Sequence, residues 1–190
     1  SMLPLADGLP SSAAVTSPRG GVRSAPPAGL TTEGLLDPPA SSGGFAWFEN
    51  RGIGRPDPVG LQRAVARLTG FVEAIPHSTA ILIGFSSGAA MAAALLLAAP
   101  RMWAGAALLS GGLPVGAGLE RADGVLTGVE IFLASGTEDS VIPQEQRSHT
   151  EEWLTARSGA TVQVRTYAQG HAVTEAELTD VSAWCHHVVG

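Results

Sequence analysis

The stretch AILIGFSSGAAMAAALLLAAP (residues 80–100) joins an apolar run, a Gly-Phe-Ser-Ser-Gly corner and an alanine-leucine segment closed by Pro100. A short apolar run reads as a buried strand, and Ala and Leu are the strongest helix formers, so a helix is predicted from Ser87 to Ala99. The result is strand, tight turn, helix, with Ser86 at the corner. A Gly-x-Ser-x-Gly pattern is cheap in a chain of 190 residues with 24 Gly and 16 Ser. About 0.25 matches are expected by chance, so the surroundings must decide whether Ser86 does chemistry or only turns the chain.

Outward from that corner the pattern repeats. Upstream, Leu61, Val65, Leu68, Val72 and Ile75 recur at steps of four and three, an amphipathic helix ended by Pro76. Downstream, AGAALLS (104–110) and GVEIFLAS (128–135) read as buried strands, and a helix is predicted from Pro143 to about Ser158, with proline in its first turn. TVQVRTY (161–167) alternates as a strand. The last helix starts at Thr174 with Glu177 three residues on, a capping box, and its core stripe is Leu178, Val181, Cys185 and Val188. Strands alternating with helices predict an α/β fold with a mainly parallel sheet and helices on both faces, in one domain spanning residues 2–190. Residues 18–60 are rich in Pro, Gly and Ser, show neither period, and read as a long irregular loop. Within it Phe45, Trp47 and Phe48 are concentrated. On a loop such aromatics either roof an apolar pocket or anchor the loop to the core.

On that frame three polar residues fall at the carboxyl ends of successive parallel strands, where sites form in such sheets. Ser86 follows TAILIGF, Asp139 follows EIFLASGTE and His171 follows TVQVRTYAQG. A serine hydroxyl is a poor nucleophile unless a neutral imidazole within hydrogen-bond reach takes its proton. A carboxylate on the other ring nitrogen fixes the tautomer and stabilises the imidazolium. Gly84 and Gly88 allow the sharp turn, and the helix that begins at Ser87 offers the backbone N–H of Ser87 to a developing oxyanion. The order Ser, Asp, His is that of α/β-hydrolases. Glu138 is expected to point away from the site, Asp180 lies mid-helix, and His186 and His187 read as partners of a helix C-terminus.

Composition removes other classes. The net charge is −6, all 11 basic residues are Arg and none cluster, so nucleic acid is a poor partner and a lysine-dependent phosphate loop is impossible. Cys185, the only cysteine, excludes an internal disulfide and a cysteine zinc site, reads as a buried structural thiol and fits a reducing cytoplasm. The longest apolar run, Ala89 to Ala99, falls short of the ~20 residues that span a bilayer, and no secretory signal is read at the start, so no stable membrane insertion is expected. No metal and no cofactor are expected.

The segments GGFAWFENRGIGRPDP, LIGFSSGAAMA, LLSGGLP, LASGTEDSVIP and GHAVTEAELTDVSAWC stand in the order, and near the spacing, of the phospholipase/carboxylesterase family of α/β-hydrolases. Over about residues 3–189 the chain resembles these small serine esterases, which are similar to acyl-protein thioesterases. The resemblance implies Ser86 as nucleophile, Asp139 as orienting acid and His171 as base, acting on carboxylic esters, thioesters or lysophospholipids with an apolar acyl chain; the concentration of aromatics on the loop separately predicts an acyl-binding wall of Phe45, Trp47 and Phe48. Two departures stand out. Members commonly carry Gln after the nucleophile, where this chain has Ser87, which bears on substrate preference. Members also begin with a strand and a His-Gly-x-Gly-like loop that supplies a second oxyanion N–H, and this chain starts after it. The rival reading is therefore a catalytically weak or silent hydrolase that binds a ligand. The same gap predicts that either a strand at residues 13–17 moves over to pair with 79–85 or the exposed sheet edge takes a strand from another chain, with association as a twofold homodimer the favoured outcome.

Overall fold

The computed structural model of the protein describes residues 22–24, 44–119 and 121–189. Two short strands, β1 (Val22–Ser24) and β2 (Gly44–Ala46), pair antiparallel. The helix α1 (Pro58–Glu73) follows, then β3 (Ile81–Phe85), α2 (Ser87–Ala98), β4 (Gly105–Leu109), β5 (Glu130–Gly136), α3 (Gln144–Ala156), β6 (Thr161–Tyr167) and α4 (Glu175–Val189). The segment read as one irregular loop over 18–60 therefore contains a strand pair, and its end is helical from Pro58. Asp57 explains that earlier start: its carboxylate accepts the N–H of Gly60 at 2.8 Å as an N-cap, and Pro58 occupies the first turn. The strand expected at 13–17 lies outside the described residues.

The main sheet has the order β3-β4-β5-β6 with every pair parallel. β4 thus stands between the strand of Ser86 and the strand of Asp139, which are not neighbours as the sequence suggested. Side chains alternate across the sheet. Ala106, Leu108, Ile131 and Leu133 face one cluster, with Leu61 of α1, most of α2, and Trp153 and Leu154 of α3. Ala107, Leu109, Phe132 and Ala134 face the other, with Val181, Trp184 and Cys185 of α4. Burial on both faces is why β4 and β5 are apolar without a period. The helix α2 is buried from Ala89 through Leu97, so it too is apolar all round. These layers form an α/β-hydrolase fold.

Two details differ from the sequence reading. Pro143 sits at the N-cap of α3 rather than inside its first turn. The core face of α4 includes Trp184, which the expected stripe missed, while Leu178 and Val188 are only partly buried. Among the described residues no helix is long and apolar enough to cross a membrane.

Candidate active site

Ser86 follows β3 as the N-cap of α2, with φ 56° and ψ −117°, a conformation that L residues rarely adopt. The fold holds it there from both sides. Its N–H donates to the Leu109 carbonyl at the end of β4 (2.9 Å), and its carbonyl accepts the N–H groups of Ala89 (3.0 Å) and Ala90 (3.2 Å) in α2. Gly84 is obligatory in this turn because a Cβ there would collide with the backbone of Gly88 and Ala89. Gly88 is different: a Cβ at that position would meet open space, so the tightness of the corner rests on Gly84. Ser87 is the first residue of α2, among the N–H groups that a helix leaves without an internal acceptor.

Asp139 follows β5 and its side chain is fully buried. Oδ1 accepts the N–H groups of Val141 (2.8 Å) and Ile142 (3.0 Å), and Oδ2 lies 2.9 Å from His171 Nδ1. Burial alone would raise the pKa of this carboxyl. The hydrogen bonds from His171, Ile142 and Val141 outweigh it and hold the group below its ordinary value, hence ionised. An ionised Oδ2 can only accept, so Nδ1 carries the ring proton and Nε2 is the free acceptor. Nε2 lies 2.9 Å from Ser86 Oγ. Phe85 packs against the imidazole, ring centroids 4.9 Å apart.

The loop bearing His171 is drawn over the end of β5. Thr137 N–H donates to the Tyr167 carbonyl (2.8 Å) and Glu138 N–H to the Gln169 carbonyl (3.0 Å). Gly136 makes the approach possible, because a Cβ there would run into the carbonyls of Gln169 and Gly170. The three sequence-predicted residues therefore meet in one hydrogen-bonded chain, Ser86, His171, Asp139. Such a chain can pass the serine proton to the imidazole while a carbonyl carbon is attacked, and spread the resulting charge toward a buried carboxylate.

Other candidates fall elsewhere. Glu138 is exposed, and Asp180 accepts from Tyr167 Oη at 2.7 Å; burial, aided by that bond, raises the tyrosine pKa. His186 and His187 lie in the exposed last turn of α4. Cys185 is buried and its thiol pKa is pushed up to about 11 by that burial, as suits a structural thiol. Of the aromatic trio, Phe45 lies in β2, Trp47 packs partly buried against the core, and Phe48 is 2% exposed within the core itself. Phe48 thus anchors its segment. Among the described residues no group of three or more His, Cys, Asp or Glu is placed to hold a metal ion. A cavity of about 290 Å³ lined by Arg121, His149, Glu152, Trp153 and Arg157 contains no triad residue.

Sequence reasoning missed two residues beside the triad. Gln169 and Glu177 are buried, and Gln169 Nε2 donates to Glu177 Oε2 at 2.7 Å and to the Ala172 carbonyl at 2.7 Å. The capping box was the available signal for Glu177, but it marks a helix start and says nothing of burial.

Comparison with known proteins agrees with this fold. A family profile described as phospholipase/carboxylesterase matches residues 37–188. The structure is similar to that of the Bacillus cereus carboxylesterase, with a TM-score of 0.76 and 25% identity over 98% of this chain and 81% of that one. A carboxylesterase from Mesorhizobium loti gives 0.72 at 22% identity, covering 97% and 81%. Acyl-protein thioesterase 2 from Zea mays gives 0.66 at 21%, covering 78% and 74%. The last two likenesses bear on the fold alone. No curated protein matches the sequence.

Proposed function

The chain belongs to the phospholipase/carboxylesterase family of α/β-hydrolases, and from that premise we propose that it is a serine hydrolase that cleaves carboxylic esters through Ser86, His171 and Asp139. The observation that carries this reading is the pair of 2.9 Å contacts at the two nitrogens of one imidazole. In the first half-reaction Ser86 Oγ bonds to the substrate carbonyl carbon as its proton moves to His171 Nε2, and the carbonyl oxygen becomes an oxyanion facing the Ser87 N–H. Collapse breaks the bond to the leaving group, which departs with the proton from His171. In the second half-reaction a water gives one proton to His171 as its oxygen bonds to the acyl carbon; collapse then breaks the bond to Ser86 Oγ, which takes that proton back from His171 as the acid leaves. Asp139, held ionised, stabilises the imidazolium in both halves.

The substrate is a small-molecule ester or thioester, phospholipase-type lysophospholipids included, with Trp47 on the acyl side. Intact-mass analysis after exposure to a fluorophosphonate tests the nucleophile. One label is expected on the wild type and none on Ser86→Ala. Labelling that persists in the variant overturns the assignment, and a folded wild type that takes no label favours the rival reading as a binding protein.

The outer side of β3 carries no partner strand among the described residues, and Ile81, Leu82 and Ile83 are only half-buried, so this edge suits a second copy of the chain in a homodimer. Light scattering that finds only monomers overturns it. The lone thiol, Cys185, is the basis for assigning the protein to the cytoplasm.

A further inference from the structure

The capping box at the start of α4 is occupied in an unusual way. Thr174 Oγ1 accepts the Glu177 N–H at 3.3 Å, as such a box requires. The Glu177 carboxylate, however, is engaged through Oε2 by Gln169 Nε2, and Glu177 is 0% exposed. A capping glutamate serves its helix as well in water, whereas burying a carboxyl is costly. That cost shows in its titration: burial pushes the pKa up, against the hydrogen bonds from Gln169 and the Thr174 backbone. Capping α4 accounts for the bond from the Thr174 backbone but not for the one from Gln169.

Gln169 supplies an explanation. Its amide carries two hydrogens on Nε2. One goes to Glu177 and the other to the Ala172 carbonyl, the residue immediately after His171. Its backbone is pinned as well, the carbonyl by Glu138 N–H and the N–H by the Tyr167 carbonyl. The side chain therefore ties together the two flanks of His171, and Glu177 fixes the amide by accepting its second hydrogen.

We propose that Glu177 and Gln169 are a positioning pair for His171, in which a buried carboxyl on α4 orients the amide that clamps residues 169–172. Neither residue touches the triad; both act through the loop. The inference rests on the hydrolase reading, so the wild type must first take the fluorophosphonate label. If it does not, that reading fails before this one is addressed.

The test compares kcat and KM on a short-chain aryl ester for wild type, Glu177→Gln, Glu177→Ala and the double variant Gln169→Leu/Glu177→Leu, with thermal melts of each. Glutamine keeps an acceptor for Nε2, so Glu177→Gln should retain kcat to within about threefold. Glu177→Ala should lower kcat by about 10- to 100-fold with KM within about twofold, since small misplacements of a catalytic group cost this much in rate without altering binding. The double variant removes both buried polar partners together, which spares the fold, and should show the same split. Wild-type kcat in a folded Glu177→Ala or double variant overturns the proposal, as does a Glu177→Gln variant impaired as badly as alanine. A failure of both Glu177→Ala and the double variant to fold assigns the pair to stability and overturns it too.

Discussion

The backbone at Ser86 makes a prediction whose sign runs against ordinary experience. With φ 56° and ψ −117°, a residue bearing a Cβ is strained by on the order of 1–3 kcal/mol. Two variants that both delete the hydroxyl isolate that strain. Ser86→Ala loses the 2.9 Å bond to His171 and keeps the Cβ. Ser86→Gly loses the same bond and the Cβ together. The hydrogen bond, about 0.5–1.5 kcal/mol, therefore cancels in the comparison. What remains is the strain relieved, roughly 2 kcal/mol, less the extra unfolded-chain entropy of glycine, roughly 0.5–1 kcal/mol. Glycine should be the more stable by about 1 kcal/mol, or about 2–4 °C in Tm for a domain of this size. Differential scanning calorimetry of the two variants, each checked for absence of phosphonate labelling, reads the difference directly. At an unstrained position glycine would melt lower than alanine. A Ser86→Gly protein that does so here would refute the claim that the nucleophile is held in stored strain.

Four other outcomes are expected. Asp139→Asn presents an amide to His171 Nδ1 and favours the wrong tautomer, so kcat should fall about 10,000-fold with the fold intact; a loss under tenfold in steady-state assays would contradict the orienting role. Gly136→Ala should push back residues 169–170, whose carbonyls a Cβ would strike, and cut the phosphonate labelling rate by on the order of 100-fold; wild-type labelling would show that the loop yields freely. Trp47→Ala should reduce kcat/KM more for octanoyl than for acetyl esters, about tenfold for each 1.4 kcal/mol of acyl-chain binding removed, and equal losses would confine Trp47 to the fold. Acid and alkaline limbs of stability should separate the two buried carboxyls. The folded pKa of Asp139 is depressed, so its contribution is present above about pH 3.8 and lost as pH falls through the folded value, whereas that of Glu177 is raised, so its contribution is present below about pH 4.5 and lost as pH rises through the folded value. Urea midpoints across pH 3–8 should therefore show Glu177→Gln gaining on the wild type toward pH 8 and losing that advantage near pH 4.

Legibility in the sequence followed how local the determinant was. Strand β6 was readable to the residue at Thr161–Tyr167 because its alternation is interrupted at both ends. The corner at Ser86 was readable because its requirements, a glycine before it and a helix after it, lie within a few residues. Long-range packing was not. Phe48 and Trp47 are adjacent aromatics with the same local signature, yet one sits in the core and the other at its margin. Glu177 looked like any capping glutamate because its burial depends on Gln169, eight residues upstream across the turn from β6 into α4. The strand order was also hidden: nothing local to β4 shows that it inserts between the strands carrying Ser86 and Asp139.

That insertion explains why the triad needs its third member where it stands. Neighbouring strands lie about 4.8 Å apart, so β3 and β5, separated by β4, are about 9.5 Å apart. Ser86 and Asp139 thus rise from strand ends too far apart for a direct hydrogen bond, and two 2.9 Å contacts plus the width of an imidazole span such a gap. The imidazole does not come from the end of β4, where the Leu109 carbonyl accepts the Ser86 N–H. It comes from beyond β6, one strand further out, so its loop must fold back across the end of β5. A side chain at the crossing point would block that path, and the residue there is Gly136. The parallel sheet brings all three groups to one edge. The backbone contact over Gly136 turns that shared edge into a connected proton path.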